Sequence, residues 1–371
     1  MRVLMAAGGT GGHLIPAIRI AEAIRRKRQD TELLFMGGDR GFENEVITRR
    51  GERYVGLPAR GFARTRIVHN VRAVFSNWRA RSMANRSVAQ FGPDVAVGCG
   101  GYASYFPIRA ARAQSIPYVL QEQNRVPGLA TRWLSAGAER VFTAFEQTAA
   151  ALPKARSIEL AGNPIDPRLA QLSRGEARAA WGLKESDRVI LVTGGSGGAR
   201  SINTNIVQGL ETLTPGQPVT LLWQTGKNRV EWSGMPQSGW TVREFVFTDQ
   251  MTEAFVAADV IIARAGALTI SEIAAAGRPA ILVPFPFATA DHQTQNAKIL
   301  VEAGGAQLIP DSTLSDVSLL SRALDLLENE GQLQAMATAN RRLGRPEAAD
   351  RIAAQVIELA DRSPKGVRHQ S

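Results

Sequence analysis

Short apolar runs alternate with helix-like stretches along the chain. Val3–Ala6, Leu33–Met36, Val95–Val97, Tyr118–Leu120 and Val141–Phe142 are almost purely apolar, as expected of strands covered on both faces in a parallel sheet. Between the first two, Pro16–Arg28 sets Ile18, Ala21 and Ile24 at helical spacing with proline in the first turn, so a helix is predicted there. The rhythm restarts in the second half. Val189–Val192, Thr220–Trp223, Val260–Ala263 and Ile281–Val283 read as strands, and 201–213, 268–276 and 293–303 as helices. This alternation predicts an α/β protein of two Rossmann-like domains facing across a cleft, with ligand at the carboxyl ends of the sheets. A glycine and two prolines in Gly162-Asn-Pro-Ile-Asp-Pro167 suit a linker. The expected domains are 1–163 and 164–344, with a returning helix at about 345–362 assigned to the first.

Each half opens with the same device. The first strand leads into Gly8-Gly-Thr-Gly-Gly-His13, and the strand at Val189 leads into Gly194-Gly-Ser-Gly-Gly-Ala199. A third glycine turn, Gly98-Cys-Gly-Gly-Tyr-Ala-Ser104, follows the strand at Val95. A strand, a glycine turn and a helix N-terminus together make an anion-receptive site. The same glycines also serve where a helix only needs to pack close to a strand, and the pattern leaves both readings open. Neither of the first two turns fits Gly-x-Gly-x-x-Gly or carries the Lys-Ser/Thr pair of a P-loop, which disfavours a nicotinamide dehydrogenase or an ATPase.

Composition narrows the setting. Cys99 is the single cysteine, so no internal disulfide can form and a reducing compartment is expected. The four histidines share no metal-ligand spacing and no Asp-x-Asp pair occurs, so neither a metal nor another cofactor is expected. No signal peptide or membrane-spanning run is legible, which places the protein in the cytoplasm or on a membrane from that side. The net charge of +10 is uneven: residues 1–163 hold 24 Lys+Arg against 12 Asp+Glu, and residues 164–371 hold 20 against 22. Between Glu52 and Asp94 there are eight arginines and no acid, interleaved with Val68, Val71, Val74, Phe75 and Trp78. This is the pattern of a basic amphipathic helix on an anionic membrane surface, with Val71, Arg72, Phe75, Trp78 and Arg79 in contact. A core-facing helix with solvated arginines is the alternative. Few aromatics and no recognition motif argue against a nucleic-acid partner.

An ordered set of motifs spans nearly the whole chain: Gly8–His13 with Leu14-Ile-Pro-Ala17, Gly98–Ser104, Glu122-Gln-Asn124 with Pro127-Gly128, Gly162-Asn-Pro164, Gly194–Ala199, Arg264–Gly277, and Val283-Pro-Phe285 with Asp291-His-Gln293 and Asn296-Ala297. With these motifs the sequence resembles the bacterial peptidoglycan N-acetylglucosaminyltransferases of the MurG type. The resemblance implies a glycosyltransferase B-type fold and inverting, metal-independent transfer of N-acetylglucosamine. The donor is UDP-N-acetylglucosamine, and the acceptor is an undecaprenyl-linked N-acetylmuramyl-pentapeptide pyrophosphate. The expected setting is peripheral, at the cytoplasmic face of the inner membrane.

Carried onto this sequence, the resemblance gives the donor Ser196, Thr248, Ala267, Leu268, Glu272 and Gln293, joined by Thr10, Gly11, Gly12 and Asn124. The acceptor pyrophosphate is given Gly8, Gly9, Gly98, Gly100, Gly101 and Tyr102. Two positions depart from the family pattern: Asp166 stands where arginine is usual, with Arg168 nearby, and Gly197 where glutamine is usual. For the general base, His13 leads because it sits at the first glycine turn and histidine titrates near neutrality; a helix-capping or phosphate-contacting role is its alternative. Glu122 is the second candidate for the base, with an orienting role as its alternative. His292 is expected to shape the sugar pocket, and His69 and His369 to lie on the surface. The rival activities are transfer to a different lipid acceptor, such as a diacylglycerol, and epimerisation of the sugar nucleotide.

Overall fold

Two parallel sheets contain all of the predicted strands. The computed structural model describes residues 1–9, 11–39, 43–61, 67–195, 197–288 and 291–362, and of residues 67–72 the backbone alone. Contacts divide the chain into two compact units, Met1–Ile165 with Glu347–Ser371, and Asp166–Pro346.

The first unit has strands β1 (Arg2–Ala6), β2 (Glu32–Gly38), β3 (Arg53–Leu57), β4 (Val95–Gly98), β5 (Tyr118–Glu122), β6 (Arg140–Thr143) and β7 (Ile158–Leu160). Their order across the sheet is β3-β2-β1-β4-β5-β6-β7. Helices α1 (Gly11–Lys27), α2 (Glu43–Arg49), α3 (Ile67–Phe91), α4 (Tyr105–Ala113) and α5 (Leu129–Leu134) connect them. The second unit carries helices α6 (Arg168–Gln171) and α7 (Arg174–Ala180), then strands β8 (Arg188–Thr193), β9 (Val219–Gln224), β10 (Trp240–Phe245), β11 (Val260–Ala263), β12 (Ala280–Leu282) and β13 (Ala306–Leu308). These run in the order β10-β9-β8-β11-β12-β13. Its remaining helices are α8 (Arg200–Thr212), α9 (Met251–Ala257), α10 (Ala267–Ala276), α11 (His292–Glu302), α12 (Leu319–Leu327) and α13 (Glu330–Leu343).

Both sheets reverse their winding beside the opening strand. In the first, β1 pairs with β2 on one side and β4 on the other, with Ala6 opposite Gly98. In the second, β8 lies between β9 and β11, with Thr193 opposite Ala263. Where the winding reverses, the connections leave the two central strands in opposite directions and open a crevice at their carboxyl ends. The glycine turns lie at these points, two in the first unit and one in the second.

The first sheet is covered on both faces. On one face α1 packs with a last helix, α14 (Ala348–Arg362), whose Ile352, Ala353 and Val356 share a core with Ile20 and Ile24 of α1 and Val3 and Met5 of β1. Burying Ile352 and Val356 contributes about 1.5–3 kcal/mol each. On the other face α3 contributes the stripe Ala80, Ala84, Val88 and Phe91, spaced for one side of a helix, against Leu4, Ala96 and Leu120. The opposite side of α3 leaves Val74, Phe75 and Trp78 exposed, the last two at 70%. The second unit closes around Ile190, Val192, Trp223 and Ile262, with α8 and α12 packed on them.

Candidate functional site

In the first unit two glycine turns interlock. A Cβ added to Gly101 would stand 1.8 Å from the Gly8 carbonyl oxygen, and one added to Gly100 would stand 2.9 Å from His13 Nδ1. Both residues have φ near +80°, so the contact and the backbone each require glycine. Gly98 lies between the side chains of Leu120 and Ile108, and Gly8 against Ala103 and Gly38. The tight-turn reading of these four glycines is therefore realised in the packing. Tyr102, 43% exposed, lays its ring against Gly9. The Gly9 amide, one of the donors expected to meet a pyrophosphate, already donates to Glu43 Oε1 at 2.8 Å. Glu43 is 2% exposed, and its other oxygen has no partner among the described residues. Burial, together with the nearby Glu43 charge, pushes the neighbouring Tyr54 phenol up.

His13 lies in the first turn of α1, where the amides of Gly11, Gly12 and His13 have no carbonyl four residues back within the helix. Its Nδ1 is 2.9 Å from Gln123 Oε1. Gln123 Nε2 donates to the carbonyls of Cys99 and Gln121, so the oxygen end of the amide faces the histidine. Nδ1 therefore carries the hydrogen, and the basic lone pair of the neutral ring sits on Nε2. Gln123 also bonds the Gln121 side chain. Gln121 Nε2 donates to Asn163 Oδ1 at 3.0 Å, and Asn163 Nδ2 donates back to the Gln123 carbonyl at 3.1 Å. All three amides are buried. Burial also pushes the thiol of Cys99 up, which leaves it an inert packing residue.

Glu122 stands at the end of β5 with both oxygens occupied. Oε1 accepts from the Asn124 backbone and side-chain amides, at 3.1 and 3.3 Å. Oε2 accepts from the Gly128 amide at 3.1 Å and the Thr131 hydroxyl at 2.6 Å. At 2% exposure this carboxylate pins the loop to α5 and holds Asn124.

The second unit builds a different surface. Gly194 and Gly198 are packed, Gly198 against the Thr225 carbonyl, but a Cβ at Gly195 or Gly197 would meet nothing within 4 Å. The turn is held from below: Thr193 Oγ1 accepts from the Gly195 amide, and Asn228 Nδ2 donates to the Gly197 carbonyl. Helix α8 then starts without a side-chain cap. Beside it, Arg264 donates to the carbonyls of Val283 and Pro284, to Asp311 and to Ser201 Oγ, and stacks over the Phe285 ring. The arginine thereby ties the ends of β11 and β12 to the start of α8. Helix α10 begins at Ala267 and Leu268 after Gly266, again with no side-chain cap, and carries Glu272, half-buried, in its second turn. Gln293 Oε1 accepts from the amides of Ala265 and Phe285, which leaves its Nε2 on the opposite edge of the amide. Thr248 Oγ1 accepts from the Gln250 amide, next to exposed Phe247.

The departure at Asp166 is resolved by its neighbours. Its carboxylate pairs with Arg168 at 2.9 Å and accepts from Thr252 Oγ1, while Arg168 reaches on to Glu253 at 2.8 Å. These carboxylates hold the Arg168 guanidinium above its ordinary value, with Asp166 contributing most. Thr10, Ser196, His369 and the side chains of His69, Val71 and Arg72 lie outside the described residues.

Residues 3–143 match the glycosyltransferase family 28 N-terminal domain, and residues 189–352 the family's C-terminal domain. A Porphyromonas gingivalis protein is 37% identical over 97% of this chain and 96% of its own length. The chain belongs to glycosyltransferase family 28. That relative is described as the UDP-N-acetylglucosamine–N-acetylmuramyl-(pentapeptide) pyrophosphoryl-undecaprenol N-acetylglucosamine transferase. Among solved structures, Acinetobacter baumannii MurG superposes with a TM-score of 0.77 at 29% identity, covering 96% of this chain and 99% of that one. A UDP-GlcNAc 2-epimerase from Neisseria meningitidis shares the fold, with a TM-score of 0.62 at 14% identity over 96% of this chain and 100% of its own. Within this family 28 enzyme, the sequence motifs located the glycine turns, His13 and the start of α10. They did not reveal the amide chain Gln123–Gln121–Asn163, the closure of Gly9 by Glu43 or the Arg264 brace. Glu-Gln-Asn and Gly-Asn-Pro marked the places, but which side chains bond each other depends on contacts between residues up to 110 positions apart.

Proposed function

We infer that the protein transfers N-acetylglucosamine from UDP-N-acetylglucosamine to undecaprenyl-pyrophosphoryl-N-acetylmuramyl-pentapeptide, a step of peptidoglycan synthesis. The observation that carries this reading is kinship with transferases of that description over nearly the full length of both chains. The reaction is a single inverting displacement. A hydroxyl of the muramyl sugar attacks the anomeric carbon, its proton passes to His13 Nε2, and the bond to UDP breaks with the electron pair leaving on the diphosphate. The tautomer set by Gln123 places the basic lone pair on Nε2, which supports His13 as the base. Glu122 acts through Asn124, which it orients.

The donor is held by the second unit. The open turn at Gly195–Gly197, with Ser196, and the amides of Ala267 and Leu268 at the start of α10 receive the diphosphate, where a helix N-terminus favours negative charge. Glu272 accepts from the ribose hydroxyls, backbone near Thr248 reads the uracil, and the free edge of the Gln293 amide meets the sugar. Thr10, Gly11, Gly12 and Asn124 complete the donor set. Gly8, Gly9, Gly98, Gly100, Gly101 and Tyr102 form the acceptor side, where the Gly9 amide becomes available only when Glu43 releases it. The lipid tail of the acceptor requires the enzyme to work at a membrane. Among the described residues no helix is long and apolar enough to cross one. Exposed Phe75, Trp78 and Arg79 of α3 support a peripheral contact with an anionic cytoplasmic surface, for which Val71 and Arg72 are the further candidates from the sequence.

The test is transfer of label from radiolabelled UDP-N-acetylglucosamine into lipid, in detergent with excess chelator, with and without the lipid-linked acceptor. Acceptor-dependent label in the lipid fraction is expected. Consumption of donor without acceptor, with no label in lipid, would assign the chain to epimerisation or hydrolysis instead.

A further inference from the structure

Three buried amides stand between His13 and the last turn of the first unit. Gln121 is 0% exposed, Gln123 1% and Asn163 2%, and Asn163 lies in Gly162-Asn-Pro164, just before the boundary at Ile165. Burying a carboxamide costs stability unless each end finds a partner, and donor against donor or acceptor against acceptor leaves both ends unsatisfied. An amide in such a chain therefore has one acceptable orientation once that of its neighbour is fixed.

The orientation starts at Asn163. A backbone carbonyl only accepts, so the Gln123 carbonyl, 3.1 Å away, turns the Asn163 Nδ2 toward itself. Asn163 Oδ1 thereby faces Gln121, whose Nε2 donates to it at 3.0 Å. That leaves Gln121 Oε1 to accept from Gln123 Nε2. Gln123 Oε1 is then the atom presented to His13, 2.9 Å from Nδ1. A second clamp acts at the far end, where Gln123 Nε2 also meets the Cys99 carbonyl at 2.9 Å and the Gln121 carbonyl at 3.3 Å. With Asn163 removed, the Gln121 amide is free to turn its own Nε2 toward Gln123. The resulting donor-against-donor contact works against the orientation that Cys99 favours. A reversed Gln123 offers His13 an N–H, which calls for a lone pair on Nδ1 and moves the ring hydrogen to Nε2.

We propose that Asn163 is a positioning residue for His13: it sets the polarity of the Gln121–Gln123 chain, and with it which ring nitrogen is basic. The consequence for catalysis rests on the reading of His13 as the base; the tautomer itself does not. Asn163 acts through two other side chains, so the turn that ends the first unit and the imidazole are joined by amide orientation.

The experiment is nitrogen NMR of the full chain with isotope-labelled histidine, at a pH where the imidazole is neutral. The His13 signals are assigned by their loss in His13→Ala. Wild type is expected to carry its ring hydrogen on Nδ1. Asn163→Ala should shift the signals toward the Nε2–H pattern, and Gln121→Met, which removes the middle link, should do the same. Combining the two should add little, since each breaks the same chain. They break it at different places, so loss of fold in one leaves the other to decide. Asn205→Ala, which removes a buried amide bonded to the Leu314 and Val317 carbonyls in the second unit, should leave the His13 signals unchanged. In transfer assays Asn163→Ala should lower kcat about tenfold, with KM for both substrates within about twofold, by the same outer-shell logic that orients metal-bound histidines. Unchanged His13 signals in both Asn163→Ala and Gln121→Met would overturn the proposal and leave the Cys99 carbonyl as the clamp. Wild type with its hydrogen on Nε2 would overturn it outright. Because the signals are read without turnover, a wild type that forms the expected tautomer but transfers no sugar would fail the transferase reading alone.

Discussion

The two opening glycine turns share a sequence device but present different surfaces. In the first unit the protein fills its own turns: Gly8 and Gly101 abut backbone to backbone, His13 covers Gly100, Tyr102 covers Gly9, and Glu43 takes the Gly9 amide. In the second unit Gly195 and Gly197 face open space, while Thr193 and Asn228 support the turn from beneath. One turn is packed around a histidine, whereas the other leaves its outer side open. A glycine-rich stretch after a strand therefore reports how closely the backbone can be approached, and only the surroundings decide what does the approaching.

That contrast can be broken at its strongest point by His13→Ala. If the first turn exists to hold a base, kcat should fall about 10²–10⁴-fold. UDP binding by titration should be unchanged, because the proposed UDP site lies in the second unit. A kcat within a few-fold of wild type would make His13 a structural cap. Next in size is a pair of alanines. Gly101→Ala should destabilise the first unit by about 3 kcal/mol or more, since the added carbon meets a carbonyl at a strained φ. Gly197→Ala should stay within about 0.5 kcal/mol in the same urea denaturation series. Similar costs at the two positions would erase the distinction between a filled and an open turn.

A smaller effect is expected one bond away from the base. Gln123→Ala frees the imidazole to choose its tautomer and should lower kcat about 10–100-fold, by analogy with outer-shell partners of metal-bound histidines. The KM for UDP-N-acetylglucosamine should move little; a change confined to KM would place Gln123 in binding instead. The smallest effect belongs to Glu43→Gln. A neutral amide oxygen still accepts from Gly9, so about 1 kcal/mol of stability is at stake. If the acceptor pyrophosphate has to displace that carboxylate, the same change should lower the KM for acceptor, and a raised KM would contradict the displacement.

The fold was legible wherever strands are covered on both faces. The four strands missing from the sequence reading are β3, β7, β10 and β13, and these are the outermost strands of the two sheets. Arg53–Leu57 and Trp240–Phe245 are mostly half-buried, and Ile158–Leu160 is half-buried throughout. An edge strand escapes the demand for a continuous apolar run, and β13 is in addition only three residues long. The site divides the same way. Glycine turns and helix starts are local, so His13 could be located from the residues around it, whereas Ala267 and Leu268 came from the family resemblance. The surroundings of Glu122 were not legible in the sequence, because they come from Gly128 and Thr131 closing over its carboxylate. Nor does the sequence show that Arg168 is engaged by Asp166 and Glu253, which answers the missing family arginine with an internal ion pair.

The helix that finishes the first unit is encoded after the second. Arg26 meets Asp350 and Arg28 meets Asp361 across more than 320 residues, and Ile352, Ala353 and Val356 complete the apolar layer over α1. On a ribosome adding 5–20 residues per second, the whole second unit passes before that layer can close, a delay on the order of 10–40 s. During that time the nascent first unit presents an uncovered strip of α1 while the second can already fold. The domain that emerges first is thus completed last, and a chain arrested after Pro346 would carry a finished second unit and an open, aggregation-prone first one.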